Sequence, residues 1–479
     1  MGGAQGAFLA PEFALQPLGL MRRAHLNRLL TGFDGSQVAH LIDDRTLARI
    51  FRVAEEHRAI LLAVSGGPDS MALMYLVKRW LIAGSRMAPA VWVATVDHRL
   101  RPESAMEAAF VAHHAKELGF SHMTLVWEAA KPGPGLQARA RKARYDLMAT
   151  YCVSNGISAM ITAHTEDDRA ETLLMRLRRG SGLDGLAAIS EVGSWNGVAV
   201  IRPLLSLSKA RLAAFLRAGA IPSIHDPSNA DPAFERVRIR HAMRALRGAG
   251  LGAKALARSA ARLARSRAAL DTLTDEFLSE HLRVAPLGQG SLDRDALLNL
   301  PADLQLRVLA RALALIAGKT EAPRMAKLEA LIGNLLLEGA RTVFAGCRIA
   351  VAGNRLNLCR ELGRIAGANV APQQGNEFLW DGRFLLRYEG EGQDVRVAPL
   401  GRAGWHKLAA RSREDPRLSA ALAAMRGDLP AAVATPSLWR AGKLVSAPLV
   451  YFAATAEYTD ARLLHARLAP ALHRFLREV

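Results

Sequence analysis

The sequence predicts an α/β chain, with a doubly wound parallel sheet followed by a helical domain and a small α+β C-terminal domain. Three observations carry that expectation. Between about Ala59 and Ala163, short apolar or β-branched runs alternate with longer amphipathic ones, as βα units around a parallel sheet do. Beyond Val237 an Ala-rich helical pattern takes over and continues to about Leu337. From Thr342 onward β-like runs return, and Arg348 to Ala352 and Arg355 to Cys359 flank Gly353–Asn354, a hairpin signal.

In order along the first domain, Ile60 to Val64 reads as a buried strand, Ser70 to Ile82 as a helix and Val91 to Val96 as a second strand. Ala105 to Leu118 reads as a helix, His122 to Trp127 as a strand and Leu136 to Cys152 as a helix. Ser158 to Ala163 reads as a strand leading into a helix over Asp167 to Arg179. Downstream, Phe378 to Trp380, Phe384 to Tyr388 and Leu444 to Phe452 are further β-like runs. The chain divides into an extension over 1–50, the α/β domain over 51–241, a basic helical region over 242–340 and an α+β region over 341–479. Doubly wound sheets bind ligands at the carboxyl ends of their strands, so chemistry is expected there.

Composition narrows the partners. The 479 residues hold 63 Lys and Arg against 44 Asp and Glu, and a net charge of +19 favours a polyanion: nucleic acid or an anionic membrane face. No window reaches the ~18 consecutive apolar residues of a spanning helix, which argues against an integral membrane protein. Cys152, Cys347 and Cys359 are widely spaced with no C-x-x-C pair, so a disulfide framework, a zinc knuckle and a Cys-ligated iron–sulfur cluster are not expected. The basic pair Arg22–Arg23 follows the apolar stretch Met1 to Leu20 instead of preceding it, the wrong order for a secretory signal. A reducing, cytoplasmic setting is expected.

The sharpest signal is Ser65–Gly66–Gly67–Pro68–Asp69–Ser70, between a strand end and a helix start. Paired glycines let the backbone bend so that N–H groups converge, and the helix N-terminus adds its positive end, a combination that binds phosphate. Ser65 and Ser70 can donate to the same oxygens, and Asp69 can hold Mg²⁺ against them. A lone Ser–Gly–Gly would read as a capped turn. Six matched positions reverse that preference. Gly318–Lys319–Thr320 is no Walker A loop, because Leu313 stands where the first glycine must be; Gly318 reads as a helix-ending glycine.

The hexapeptide resembles the pyrophosphate-binding loop, or PP loop, of the N-type ATP pyrophosphatases, which adenylate a substrate and release pyrophosphate. Further motifs follow: Val96–Asp97–His98–Arg99–Leu100–Arg101, Ala140 to Tyr145, Ala163 to Thr172, Arg179 to Leu186 and Arg202–Pro203–Leu204–Leu205. Asp226–Pro227–Ser228–Asn229 and Arg236–Val237–Arg238–Ile239–Arg240 complete the series. In order and spacing they resemble the tRNA(Ile)-lysidine synthetases, in detail over Ala59 to His241 and loosely through Trp439 to Leu444 and Pro448.

That resemblance implies an enzyme that joins free L-lysine to carbon two of the wobble cytidine of tRNA(Ile) with a CAU anticodon. ATP is the co-substrate with Mg²⁺, the cytidine is adenylated, and AMP and pyrophosphate leave. The resemblance places ATP on Ser65, Gly66, Gly67, Pro68, Asp69, Ser70, His98 and His164, and Mg²⁺ on Asp69 and Asp168. It gives catalytic roles to Asp69, Arg144, Asp168 and Glu171, and lysine binding to Asp168 and Glu171. On a helix, His164, Asp168 and Glu171 or Thr172 share one face. Asp168 or Glu171 would accept the proton that the ε-ammonium must lose; both stay open.

Between Arg236 and Leu270 stand ten Lys or Arg and no acid, a stretch that would repel itself unless a polyanion or spacing relieved it. Arg236, Arg238, Arg240, Arg244 and Arg258, with Arg141, are the expected tRNA contacts. Extended, Arg236, Arg238 and Arg240 would point one way; helical, they would fan out. Three positions depart from the family pattern: Arg169 where Gln is usual, His225 where an acid is common and Arg99 where Gly is frequent. Competing readings are a tRNA thiolation enzyme, disfavoured by the missing paired cysteines; a small-molecule amidotransferase, which leaves the charge unexplained; and a non-catalytic RNA-binding scaffold. No obligatory protein partner is expected.

Overall fold

The computed structural model describes residues 42–84, 88–99, 103–128, 135–187, 189–224, 231–319, 323, 325–335, 337, 339–365, 369–390, 394–451 and 464–475. Two compact units divide the chain, Met1–Arg267 and Ala268–Val479.

Among the described residues, the first unit is built on six strands: β1 (Ala59–Ala63), β2 (Ala90–Asp97), β3 (Ser121–Val126), β4 (Ala159–Ile161), β5 (Val192–Trp195) and β6 (Val198–Ile201). Their order is β3-β2-β1-β4-β6-β5. All pairs are parallel except β5 with β6. β1 is the hinge of the topology: Ile60 lies opposite Val91 on one side and Ala159 on the other. The chain winds outward through β2 and β3, then returns to β4, so the order reverses between β1 and β4. A crevice opens at such a reversal.

Both faces of the sheet are covered, and the central strand is accordingly apolar throughout. Ile60 and Leu62 point into one core with helix α1 (Asp44–Phe51) and helix α2 (Pro68–Ile82), while Leu61 points into the other with Tyr145, Met148 and Cys152 of α4 (Leu136–Ser154). Helix α3 (Ser104–Glu117) links β2 to β3, and α5 (Glu166–Leu177) follows β4. The edge hairpin β5–β6, which the sequence reading did not name, turns on Asn196–Gly197 at φ 48° and 83°, the two left-handed positions of a two-residue hairpin turn. Helices α6 (Lys209–Ala218), α7 (Glu235–Gly248) and α8 (Ala253–His281) follow, the last spanning the division between the units.

The second unit holds a five-stranded sheet and two three-stranded sheets around one main core. The Gly353–Asn354 hairpin joins Cys347–Ala352 to Arg355–Arg360 as expected. Gly318 follows helix α9 (Ala302–Ile316) at φ 65°, where a Cβ would fall 1.9 Å from the Asp381 carbonyl oxygen, so only glycine fits. Beneath it Asp381 accepts from both Arg360 and Arg383, a buried cluster closed by the Arg383 bond to the Ala434 carbonyl. Two expectations are corrected here. Short strands at Leu282–Val284 and Gly290–Asp293 interrupt the helical pattern, because Gly290–Asp293 pairs with the distant strand Arg355–Arg360. Leu444 to Phe452 is not one strand: it ends at Ser446, and Pro448 begins a short helix to Tyr451, its missing N–H being no loss at a first helical position. No helix among the described residues is long and apolar enough to cross a membrane.

Candidate active site

The crevice between the ends of β1 and β4 is a cleft of about 650 Å³. Its floor is the hexapeptide. Gly66 takes φ 82°, and a Cβ there would meet Ile224 Cδ1 at 2.7 Å, so the loop can neither change its turn nor carry a side chain at this point. Ile224 N donates to the Gly66 carbonyl at 2.9 Å and pins the loop from above. Gly67 is the N-cap of α2 and Pro68 its first residue, which leaves the helix N-terminus aimed into the cleft. Ser70 Oγ donates to the Gly67 carbonyl at 2.9 Å and accepts from Ser65 N at 3.2 Å. Its one proton thus shapes the loop, and Ser65 Oγ, 3.4 Å away, is the hydroxyl turned to the same ring of donors.

One wall is cationic. Arg144 donates to His98 Nε2 at 2.7 Å, and Arg141 to His164 Nε2 at 3.4 Å. Because a guanidinium only donates, His164 Nε2 must accept; its Nδ1 then carries the proton and donates to Thr162 Oγ1 at 2.8 Å. Burial, reinforced by Arg141, pushes the His164 pKa down to about 3, so the ring is neutral. Asp97 does not face the cleft: it accepts from Ser104 Oγ at 2.6 Å and Arg99 N at 2.8 Å, fastening the turn after β2. Arg99 has φ 48°, which gives the reason glycine suits that position.

The opposite wall holds the acids. Helix α5 begins at Glu166 with Thr165 as N-cap, so His164 sits in the turn before the helix and not on the helical face expected for it. Asp168 and Glu171 do share that face. Asp168 Oδ2 closes a capping box with Thr165, accepting from its N–H at 2.9 Å and its hydroxyl at 2.8 Å, while Oδ1 faces the cleft. Thr172 turns back and donates to the Asp168 carbonyl. Arg169 faces the charges of Glu191 and Glu166.

Sequence reading missed Lys209, the first residue of α6. Its N–H donates to Asp167 Oδ2 at 2.7 Å, which fixes the helix start against α5. Its Nζ lies 3.1 Å from Asp168 Oδ1, 3.6 Å from Asp69 Oδ2 and 3.9 Å from Glu171 Oε1. No motif marks it; only the fold brings it between the loop and α5. Glu171, 2% exposed, also accepts from Arg236 Nε and Arg240 Nε, each at 2.7 Å. Helix α7 explains that pairing: residues four apart share a face, so Arg236 and Arg240 reach inward while Arg238 bonds the Pro232 and Ala233 carbonyls outside. Arg244 and Arg258 are exposed on α7 and α8. His225 and Asp226 to Asn229 lie outside the described residues.

These charges set one another. Burial pushes the Asp69 carboxyl up to about 6 against the pull of Lys209. Burial works against ionised Asp168 too, but Lys209, Arg236 and the Thr165 N–H outweigh it and hold that carboxyl well below its usual range. Burial likewise disfavours the Lys209 ammonium, and Asp168, Glu171 and Asp69 together raise its pKa regardless. Among the described residues no three or more His, Cys, Asp or Glu side chains form a metal cage. A divalent ion would therefore take one or two carboxylates and complete its shell with phosphate and water, the usual habit of Mg²⁺. Asp69 and Asp168, already converging on one cation, fit that role.

A glycine-bent loop at a strand end, a helix N-terminus behind it and carboxylates across the switch point define a PP-loop nucleotide-binding protein. The family model for the PP-loop domain matches residues 37–246. A tRNA(Ile)-lysidine synthase of Rhodopseudomonas palustris is 45% identical over 326 residues, 64% of this chain and 92% of that one. Another, from Ruegeria pomeroyi, is 39% identical over 397 residues, 83% of this chain and 90% of that one. The chain belongs to the tRNA(Ile)-lysidine synthase family.

Proposed function

We propose that this chain ligates free L-lysine to carbon two of the wobble cytidine of tRNA(Ile) with a CAU anticodon, using ATP. The observation that carries the reading is the meeting of two half-sites across β1 and β4: a phosphate cradle bearing Asp69 on one side and Asp168 and Glu171 on the other, all three carboxylates within one ammonium's reach. The loop amides, Ser65 and the α2 N-terminus receive the triphosphate; the apolar strand ends Val64 and Val96 with Met148 receive adenine. Asp69 and Asp168 would hold Mg²⁺, which would supply charge stabilisation to the phosphate oxygens.

In the first step the carbonyl oxygen on carbon two of cytosine attacks the α-phosphorus, and pyrophosphate leaves. Arg144, fixed by His98, faces the charge that grows there. In the second step the ε-amine of lysine attacks carbon two and AMP leaves. An ammonium has no lone pair, so it first gives a proton to a carboxylate. Asp168, whose Oδ1 faces the cleft, or Glu171 behind it takes that proton. Arg141, Arg238, Arg244 and Arg258 contact the tRNA backbone. Residues 51–241 carry the chemistry, while 242–340 and 341–479 hold other parts of the tRNA. The setting is the cytoplasm, where tRNA meets free lysine.

The test is incubation with labelled lysine, ATP and total tRNA, followed by nucleoside analysis. Label in a modified cytidine, and pyrophosphate release that needs both lysine and tRNA, is the expected result. Release without lysine would point to another acceptor, such as sulfur. Cys152 is buried on the core face of α4, and Cys347 and Cys359 belong to the second unit.

A further inference from the structure

We infer that Lys209 is a resident stand-in for the ammonium group of the substrate: it holds the carboxylate seat of Asp69, Asp168 and Glu171, and gives it up to free lysine when nucleotide phosphates draw it toward the loop. The inference rests on the lysine-ligating reading above and adds an order to it, nucleotide first and lysine second.

The chemical groups are the same. Lys209 Nζ is a primary ammonium, 3.1 Å from Asp168 Oδ1, 3.6 Å from Asp69 Oδ2 and 3.9 Å from Glu171 Oε1. A seat that accepts this ε-ammonium accepts that of free lysine, and the two cannot share it, since like charges at such separations repel strongly in a partly buried cleft. The backbone of Lys209 cannot leave, because its N–H is held by Asp167 at the start of α6. Its side chain can: the stem is flexible and 30% exposed. Asp69 marks the direction of travel, for it belongs both to the seat and to the first turn of α2, where the phosphate-binding amides lie.

Charge balance supports the exchange. With Lys209 in place, three carboxylates face three cations, Lys209, Arg236 and Arg240. When Lys209 turns to phosphate, Arg236 and Arg240 stay on Glu171, and the protein's own groups leave the seat one negative charge. A Mg²⁺ on Asp69 and Asp168 would arrive with the larger negative charge of the triphosphate, so the cleft as a whole still favours one substrate ammonium beside Asp168 and Glu171. Lysine therefore enters a site that a bound nucleotide has opened, and Lys209 adds its charge to the phosphates of that nucleotide.

The experiment is calorimetric titration of the full chain with L-lysine, with and without saturating Mg²⁺ and α,β-methylene-ATP. The wild-type chain should bind lysine about tenfold more tightly with the analogue present, a coupling of ordinary size. Lys209→Met should bind lysine without the analogue about tenfold more tightly than wild type, lose the coupling, and bind the analogue itself more weakly. Lys209→Ala serves if Lys209→Met does not fold, judged by circular dichroism. A purely structural Lys209 would, when replaced, weaken lysine binding in both titrations; that result, or an unchanged coupling, overturns the inference. Pyrophosphate release by wild type keeps the two readings apart. Release that needs lysine and tRNA, together with unchanged coupling in Lys209→Met, removes only the exchange, whereas no such release removes the function and the exchange with it.

Discussion

Arg236 Nε donates to Glu171 Oε2 across 2.7 Å, joining a basic helix to a carboxylate 65 residues earlier in the chain. Through that bond and its Arg240 counterpart, the buried acid behind Asp168 is neutralised by a helix whose other arginines face outward.

Glu171→Gln should leave two guanidiniums without their anion and lower lysine-dependent turnover by about a hundredfold. The pair is buried on one side only, with Arg236 36% exposed. A double-mutant cycle with Arg236→Met in denaturant unfolding should therefore return a coupling of about 1–2 kcal/mol, below the range for fully buried pairs. A coupling near zero would make the contact incidental.

Asp69→Ala and Asp168→Ala should each abolish turnover, a loss of about a thousandfold or more, while tRNA affinity by filter binding stays close to wild type. Turnover at wild-type level in either variant contradicts the site assignment.

Arg244→Glu and Arg258→Glu, both on exposed positions, should weaken tRNA binding and flatten its dependence on salt. Affinity measured across a salt series checks this, and an unchanged slope takes the residue out of the interface.

His164 should stay neutral well into acid. Its folded pKa, pushed down to about 3, lies below the reference value of about 6.5, so the unfolded chain binds the proton first. Stability is then unaffected above pH 6.5 and falls as the pH drops from there toward 3. His164→Gln removes that linkage. Between pH 7.5 and pH 5 it should gain about 1–2 kcal/mol on wild type in denaturant unfolding, a figure discounted for partial exposure. Equal slopes for both chains would show that the ring titrates normally.

Arg99→Gly should stabilise the first unit by about 0.5–1 kcal/mol, because φ 48° strains a residue with a Cβ. Glycine's larger unfolded-state entropy offsets part of the gain. The midpoint of chemical unfolding reads the effect, and a lower midpoint would show that the Arg99 side chain holds the turn.

The sequence by itself determined the α/β class, the PP loop and the acids that follow β4, because each depends on local pattern: apolar runs of strand length, a glycine pair at a strand end, carboxylates three residues apart. It also marked Arg99 as standing at a glycine position. Tertiary structure decided what the charges do. Whether Arg236, Arg238 and Arg240 would fan out depended on the helix Glu235–Gly248, and only its packing on α5 turned two of them onto Glu171 and one away. Lys209 was invisible in the same way. A lysine at a helix start carries no spacing signal, and its place among three carboxylates exists only because the return from β3 to β4 sets α2, α5 and α6 around one crevice, where burial makes every unpaired charge costly.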